Sequence, residues 1–122
     1  MSERSPRQTL SLRHSGSPED RIARTHALIL QALQQGLCLR WSYNRTMMRV
    51  APQILYTSKG ALYVDAIAVE KNGATPEDLK LGRFKLSGLS GVAMTSEPLA
   101  PVVAIDLTDI RYQESVVARA EA

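Results

Sequence analysis

Two arginines and two tyrosines in the middle of the sequence could together bind an anion: Arg49, Arg83, Tyr43 and Tyr63. Each arginine lies in a stretch of alternating apolar and polar residues, directly before an apolar one. We therefore expect both arginines on the strand face that points away from the core. Arginine presents a planar fork of donors that matches phosphate, and tyrosine offers a ring on which a base can stack. The pattern predicts one anion site shared by Arg49 and Arg83, with Tyr63 or Tyr43 beside it.

A structural interpretation of the same residues stays open. Arg49 and Arg83 could belong to a solvated outer face with scattered ion pairs, and the tyrosines could pack in the core or at its rim. Asp65 is the main competitor for an anion, because it could pair with either arginine. If the arginines do bind, single-stranded oligonucleotide should bind with a log–log salt slope of roughly −0.7 per phosphate contact.

The charge distribution also favours an anionic partner. The chain has 122 residues and a net charge of +3, and residues 37–95 carry eight basic and four acidic residues. A positive segment of this kind is typical of proteins that bind nucleic acid, although proteins without anionic partners show it too.

Motifs for other chemistry are not found in the sequence. It contains no Gly-rich phosphate loop, no HExxH and no CxxC. Cys38 is the only cysteine, and nothing places His14 or His26 beside a nucleophile. We therefore expect no enzymatic activity, no metal and no cofactor. The N-terminus has no apolar signal segment and no apolar run approaches a membrane span of about 20 residues, so we expect a cytoplasmic protein without membrane contact.

One helix is predicted ahead of the candidate residues. Ser17 can cap it, Pro18 fits its first position and Gly36 can end it, so it should run over about residues 18–35.

After Gly36 the apolar period changes to two, which predicts five short antiparallel strands. They should cover about residues 37–43, 47–50, 61–69, 81–86 and 89–95. Pro52 should stop the second strand or place it at an edge. We therefore expect a mainly β protein with an N-terminal helix and a five-stranded small barrel. Residues 102–107 could form a sixth strand, followed by a weakly helical acidic tail.

Three regions are expected along the chain: a mobile tail at 1–16, the helix and barrel at 17–96, and a C-terminal extension at 97–122. The extension carries more apolar residues than a small barrel can cover. This surplus predicts a homodimer or larger homo-oligomer.

The order and spacing of five short motifs resemble the WYL-domain family of bacterial regulators. The helix end and first strand, residues 32–43, resemble the family's helix and its strand ending in Tyr. The remaining motifs are similar to the family's later strands: Arg49-Val50-Ala51-Pro52-Gln53-Ile54-Leu55, Gly60-Ala61-Leu62-Tyr63-Val64-Asp65-Ala66, Gly82-Arg83-Phe84-Lys85-Leu86 and Val92-Ala93-Met94-Thr95. Leu62 stands where the family has its defining Trp, and Gly88-Leu89 stands where it usually has Arg-Ile.

The resemblance implies an SH3-like (Sm-like) five-stranded barrel that senses a ligand in transcriptional or defence regulation. Tyr43, Arg49, Tyr63 and Arg83 would lie in or near its polar face, and the ligand would be nucleic acid or a nucleotide-like effector. Gly88 in place of Arg would remove one contact to the anion. The alternative function is an oligomerisation or protein-interaction module that regulates a separately encoded partner. Convergence of the arginines in one concave patch would favour binding of the anion.

Overall fold

The computed structural model describes residues 17–121. It begins with helix α1, Pro18–Gln35, which confirms the predicted helix. The Ser17 hydroxyl oxygen accepts a hydrogen bond from the backbone N–H of Asp20 at 3.4 Å. Gly36 ends the helix in the left-handed region, at φ 70°, and its N–H donates to the Ala32 carbonyl. The predicted mobile tail, residues 1–16, lies outside the described residues.

Six antiparallel strands follow the helix. They are β1 (Leu37–Tyr43), β2 (Thr46–Ser58), β3 (Ala61–Lys71), β4 (Leu81–Lys85), β5 (Ser90–Pro98) and β6 (Ser115–Arg119). Short 3₁₀ helices lie at Leu86–Gly88 and Ile110–Tyr112. The strand order is β4-β3-β2-β1-β5, and β6 pairs with the second half of β2. The mainly β class with one N-terminal helix is confirmed, but the sheet has six strands instead of five.

The sixth strand is not at residues 102–107, where we expected it, but at Ser115–Arg119. The reason is the buried side chain of Gln53. Its amide nitrogen donates to the Pro101 carbonyl at 2.7 Å, and its amide oxygen accepts from the Val103 N–H at 2.9 Å. These bonds occupy backbone groups that a strand ladder would use. The expected helical tail was also wrong, because that stretch forms the second 3₁₀ helix and β6.

Pro52 does not stop the second strand, since β2 continues to Ser58. The β1 ladder ends at Val50 and the β6 ladder begins at Ile54, so Pro52 lies where β2 has no neighbour on that side. On the other side, a register shift separates Pro52 from Ile54. A residue without an N–H is tolerated at such an irregular position.

The sheet curls over its inner face. The ring centroids of Trp41 on β1 and Phe84 on β4 are 5.3 Å apart. In a flat sheet these strands would be three spacings, or about 14 Å, apart. Among the described residues no ladder joins β4 to β5, so the sheet is not closed.

Two apolar clusters lie on opposite faces of the sheet. The inner one packs α1 against the sheet and includes Ile29, Trp41, Val64 and Phe84. The outer one is smaller and lies under the C-terminal segment, residues 99–121. It consists of Ile54, Tyr56 and Tyr112, with Tyr63 and Ile105 packed against them. The expected C-terminal extension therefore covers part of the outer sheet face.

Candidate nucleic-acid interface

Arg83 and Tyr63 are brought together as the sequence predicts. They lie on the neighbouring strands β4 and β3, and the guanidinium carbon of Arg83 lies 4.0 Å from the centre of the Tyr63 ring. Arg83 is exposed, whereas Tyr63 is half-buried and stacks on the buried ring of Tyr56 with centroids 5.8 Å apart. A cation–π contact at an exposed site contributes about 0.5–1 kcal/mol and fixes the guanidinium plane. The edge of that plane keeps donors for an anion.

Tyr43 lies near Arg83 through a different contact. Its ring packs edge-on against Phe84, the residue after Arg83, with centroids 5.1 Å apart. The other side of the ring rests on Gly88, where an added Cβ would lie only 2.9 Å from Tyr43 Cε1. Gly88 therefore leaves room for the tyrosine ring at the position where the WYL pattern has arginine.

Arg49 lies beside a different part of β3 from Arg83. It pairs with Glu70 of β3, at 3.8 Å between Nε and Oε1, whereas Arg83 lies opposite Asp65 of the same strand. Asp65 and Glu70 are five residues apart, which is about 17 Å along a strand. The two arginines therefore extend from backbone positions that are well separated, and the shared anion site stays a prediction.

Each of the two arginines lines a cleft of its own. The first, of about 360 Å³, is lined by Arg40, Arg49, Glu70 and residues of the turn after β3. The second, of about 390 Å³, includes Lys71, Lys80 and Arg83 in its lining, and Met48 lines both. Five cations line these two clefts, and we name them together the basic strip: Arg40, Arg49, Lys71, Lys80 and Arg83. Glu70 is the one carboxylate in the lining of either cleft.

Like charges are set side by side in the first cleft. Arg40 on β1 and Arg49 on β2 are direct cross-strand partners. Such a pair is destabilising unless something neutralises it. Glu70 compensates Arg49 only weakly, because both side chains are partly exposed and 3.8 Å apart. No carboxylate of residues 17–121 lies within 4.0 Å of the Arg40 guanidinium.

The turn after β3 holds Lys71 in place. The Asn72 side-chain oxygen accepts from the Met47 N–H at 3.2 Å, and the Asn72 N–H donates to the Met47 carbonyl at 2.8 Å. Asn72 and Gly73 have φ values of 49° and 84°, which suit a tight turn. Lys71 is thereby fixed beside Met48, its partner in the ladder and the residue that the clefts share.

Asp65 pairs with neither candidate arginine, contrary to the alternative interpretation. It is fully buried, and its Oδ1 accepts from the Tyr56 hydroxyl at 2.7 Å. Its Oδ2 accepts from the Tyr112 hydroxyl at 2.5 Å and from Arg111 Nη1 at 3.1 Å. We name these four residues the Asp65 cluster. The C-terminal segment supplies the charge that neutralises Asp65, which leaves Arg83 without a carboxylate partner within 4.0 Å in the described part of the chain.

The Asp65 cluster keeps both tyrosines neutral. Burial, and then the hydrogen bond to Asp65, raise the pKa of Tyr56 and of Tyr112 well above the usual value. The hydrogen bond to Asp65 likewise raises the pKa of Arg111. The cluster is thus an ion pair with two neutral hydroxyl donors.

Sequence reasoning missed Lys71 and Lys80 as site residues, and Arg111 as the partner of Asp65. Both lysines border the loop between β3 and β4, and no sequence period indicates where a loop places its ends. A signal for Arg111 was present, because Asp65 lies between apolar residues in a strand and a buried carboxylate needs a cationic partner.

No protein-family model matches the chain, and no curated protein or solved structure matches it either. The resemblance to the WYL family therefore stays a prediction. Within residues 17–121, no group of three or more His, Cys, Asp or Glu side chains is placed to hold a metal ion. The same residues include no helix with the length and apolar character needed to cross a membrane.

Proposed function

We propose that this protein is a non-enzymatic regulatory module that binds single-stranded nucleic acid along the basic strip. In this proposal it is a WYL-like domain of a bacterial, cytoplasmic regulator. Ligand binding would alter the activity of a partner.

The observation that carries the proposal is the number of cations that line the two clefts. Five cations line two clefts that meet at Met48, and one carboxylate faces them. Arrays of Lys and Arg that track a backbone of phosphates, with aromatic rings nearby for stacking, are typical of proteins that bind single strands. The exposed Arg83 on the Tyr63 ring and the Tyr43 ring in the second cleft supply those aromatic neighbours.

The backbone spacing of the two arginines supports an oligonucleotide as the proposed ligand over a mononucleotide. Arg49 and Arg83 are separated by about 17 Å along β3. A mononucleotide carries its charge at one point, whereas an oligonucleotide presents successive phosphates that can reach both. We therefore refine the ligand expected from the sequence, which was nucleic acid or a nucleotide, to an oligonucleotide.

We also propose that the curled sheet is an SH3-like (Sm-like) barrel left open between β4 and β5. Two features support it. β5 returns to pair with β1, and the 3₁₀ helix Leu86–Gly88 joins the two outermost strands of the main order over a short distance. A short link between the ends of a sheet is possible only when the sheet is strongly curved.

The proposal is tested by measuring the affinity of a fluorescent single-stranded DNA oligomer over a series of salt concentrations. Arg49→Ala and Arg83→Ala should each weaken binding, and the double variant should reduce the log–log salt slope by about 1.4 in magnitude. Neither side chain fills the core, so the variants should fold. Arg24→Ala, which removes an exposed arginine on α1 outside both clefts, is the matched control. Unchanged binding in the double variant would eliminate the strip as the site.

A second candidate function is homo-oligomerisation or docking of a protein partner, favoured by the C-terminal segment. That segment exposes several large apolar residues: Val102, Leu107, Ile110, Val116 and Val117. Among the described residues β6 pairs only with β2, so its other edge has no partner strand there. Light scattering tests the homo-oligomer directly: a mass of 13.4 kDa at every micromolar concentration would exclude it. Failure of every nucleic acid to bind would shift the proposal to the docking of a different protein.

A further inference from the structure

The second cleft of the basic strip has a lining unlike that of the first. It opens where β1 and β3 end and where β2 and β4 begin, at the mouth of the curled sheet. We name it the mouth cleft. Its volume of about 390 Å³ falls within the range of about 300–1,000 Å³ typical of small-molecule pockets. It is therefore large enough to take a chemical group out of water, beyond providing charge.

The floor of the mouth cleft is apolar and belongs to the inner face of the sheet. It is formed by Met48, Ala66, Ala68 and Phe84, all of them buried. Ala66 and Ala68 are successive residues on this face and carry no side-chain atoms beyond Cβ, so they leave free space above them. The Phe84 ring stands at one side, with the Tyr43 ring at 83° to it. A flat apolar group could rest on this floor beside the two rings.

One wall of the mouth cleft is polar and uncharged. Tyr43, Asn44 and Thr46, at the turn between β1 and β2, line it. Asn44 has a φ of 49°, so the turn is a tight one that fixes the position of these residues. Their hydroxyl and amide groups can donate and accept, which suits the mixed donors and acceptors on the edge of a nucleobase. An aliphatic chain would leave these groups without partners.

The remaining boundary is cationic. Lys71 and Lys80 are exposed and line the mouth cleft together with Arg83, and no carboxylate of residues 17–121 takes part in the lining. The cleft thus combines a floor for a flat ring, a wall for its polar edge and lysines for anionic groups attached to that ring.

We propose that the mouth cleft binds one nucleobase of the single strand, with the flanking phosphates on Lys71 and Lys80. This inference rests on the proposed function and adds to it. It makes the ligand a nucleic acid recognised in part through a base, where the strip alone would accept any linear polyanion. Loss of a stacked base typically weakens single-strand binding by a factor of ten or more.

Three probes of similar length and charge separate the contributions of base and phosphate: a thymidine oligomer, the same oligomer with abasic sites throughout, and inorganic polyphosphate. Thymidine monophosphate is added to distinguish a free nucleotide from a strand. Binding is followed by the fluorescence of Trp41, the single tryptophan, whose ring contacts Phe84 in the cleft floor. We expect the intact oligomer to bind at least tenfold more tightly than the abasic oligomer, polyphosphate or the monophosphate.

Two variants locate the difference. Ala68→Leu fills the floor, and Tyr43→Leu removes the ring and hydroxyl but keeps an apolar contact with Phe84. Each should reduce the affinity for the intact oligomer to that of the abasic one and leave the abasic affinity unchanged. Lys80→Gln should weaken both oligomers, and Lys59→Gln, in the turn at the opposite end of β3, should weaken neither. The melting temperature of every variant shows whether it is folded. If Ala68→Leu or Tyr43→Leu does not fold, the other of the two still tests the prediction.

The outcomes separate the two proposals. Equal affinity for intact and abasic oligomers in the wild type overturns base insertion but keeps strand binding on the strip. A loss that is equal for both oligomers in Ala68→Leu and Tyr43→Leu also overturns base insertion. Tight binding of the monophosphate, equal to that of the oligomer, assigns the cleft to a free nucleotide and overturns insertion from a strand. Binding of none of the probes overturns both proposals.

Discussion

The Asp65 cluster and the basic strip are both groups of charged residues on or beside the curled sheet. The charges of the cluster are paired, whereas most charges of the strip are not. In the cluster, a fully buried carboxylate receives hydrogen bonds from Tyr56, Tyr112 and Arg111. In the strip, exposed or partly exposed cations share one carboxylate, and Arg40 directly opposes Arg49. The C-terminal segment accounts for the difference, because it covers the cluster and supplies the residues that neutralise Asp65. Charges that the chain covers are paired within the chain, and charges that it leaves uncovered are available to a ligand.

This contrast has an energetic basis. A buried charge without partners costs several kcal/mol, so every donor around Asp65 contributes to folding. An exposed cation is hydrated, and removing it changes the stability of a fold by roughly 0.5 kcal/mol or less. Variants in the cluster should therefore change stability and leave binding intact, whereas variants in the strip should do the reverse.

The largest effect is expected for Asp65→Ala. It leaves two buried tyrosine hydroxyls without an acceptor and Arg111 without its partner. We expect the free energy of unfolding to fall by about 3 kcal/mol, measured by urea denaturation. The affinity of the folded variant for single-stranded DNA should equal that of the wild type. A loss below 1 kcal/mol would contradict the structural role assigned to the cluster.

A somewhat smaller loss is expected for Arg111→Ala. The Asp65 carboxylate then keeps two hydroxyl donors but loses its only cationic partner among the described residues. The Arg111 side chain is partly exposed, at 36% of its surface, so water can compensate in part. We expect a loss of about 2 kcal/mol. Arg24→Ala on α1 is the control and should change stability by less than about 0.5 kcal/mol. Equal stabilities for these two arginine variants would show that Asp65 does not depend on Arg111 for its stability.

A tyrosine hydroxyl of the Asp65 cluster is expected to contribute about 1 kcal/mol to the free energy of unfolding, and this contribution depends on pH. Burial and the bond to Asp65 raise the pKa of Tyr56 and Tyr112 in the folded state above the unfolded value of 10.0. Their stabilisation is therefore complete below pH 10 and declines as the pH rises toward the folded pKa, because the unfolded chain releases these protons first.

Urea unfolding of the wild type and of Tyr112→Phe at pH 8 and pH 11 measures this effect. The wild type should be more stable by about 1 kcal/mol at pH 8, the contribution of one hydrogen bond. Its advantage should shrink at pH 11. Other titrating groups are common to both proteins and cancel in the difference. An advantage that stays constant between the two pH values would show that the Tyr112 pKa is not raised.

The two regions also differ in how far the sequence alone could predict them. The period of two and the position of Gly36 predicted α1, β1, β3 and the outward direction of both arginines, because these depend on local patterns. The separation of Arg49 from Arg83 depends on the register between β2 and β3, which the pattern of either strand alone does not give. The position of β6 depends on Gln53, whose long-range hydrogen bonds leave no periodic pattern. The features that the sequence did not predict therefore depend on long-range pairing, both in the Asp65 cluster and in the basic strip.

The smallest effect on stability is expected for Arg40→Ala, and it has the opposite sign to the cluster variants. Arg40 directly opposes Arg49 across β1 and β2, so removing it relieves repulsion between like charges. Because Arg40 is exposed, no core volume is lost, and stability should rise by a few tenths of a kcal/mol at low salt. Added salt should abolish this gain by screening the repulsion. Affinity for single-stranded DNA should fall in the same variant, since a cation of the strip is lost. A gain in stability together with a loss of affinity would show that the Arg40–Arg49 pair serves binding and lowers the stability of the fold. A variant that loses stability and keeps its affinity would instead assign Arg40 to the structure of the sheet.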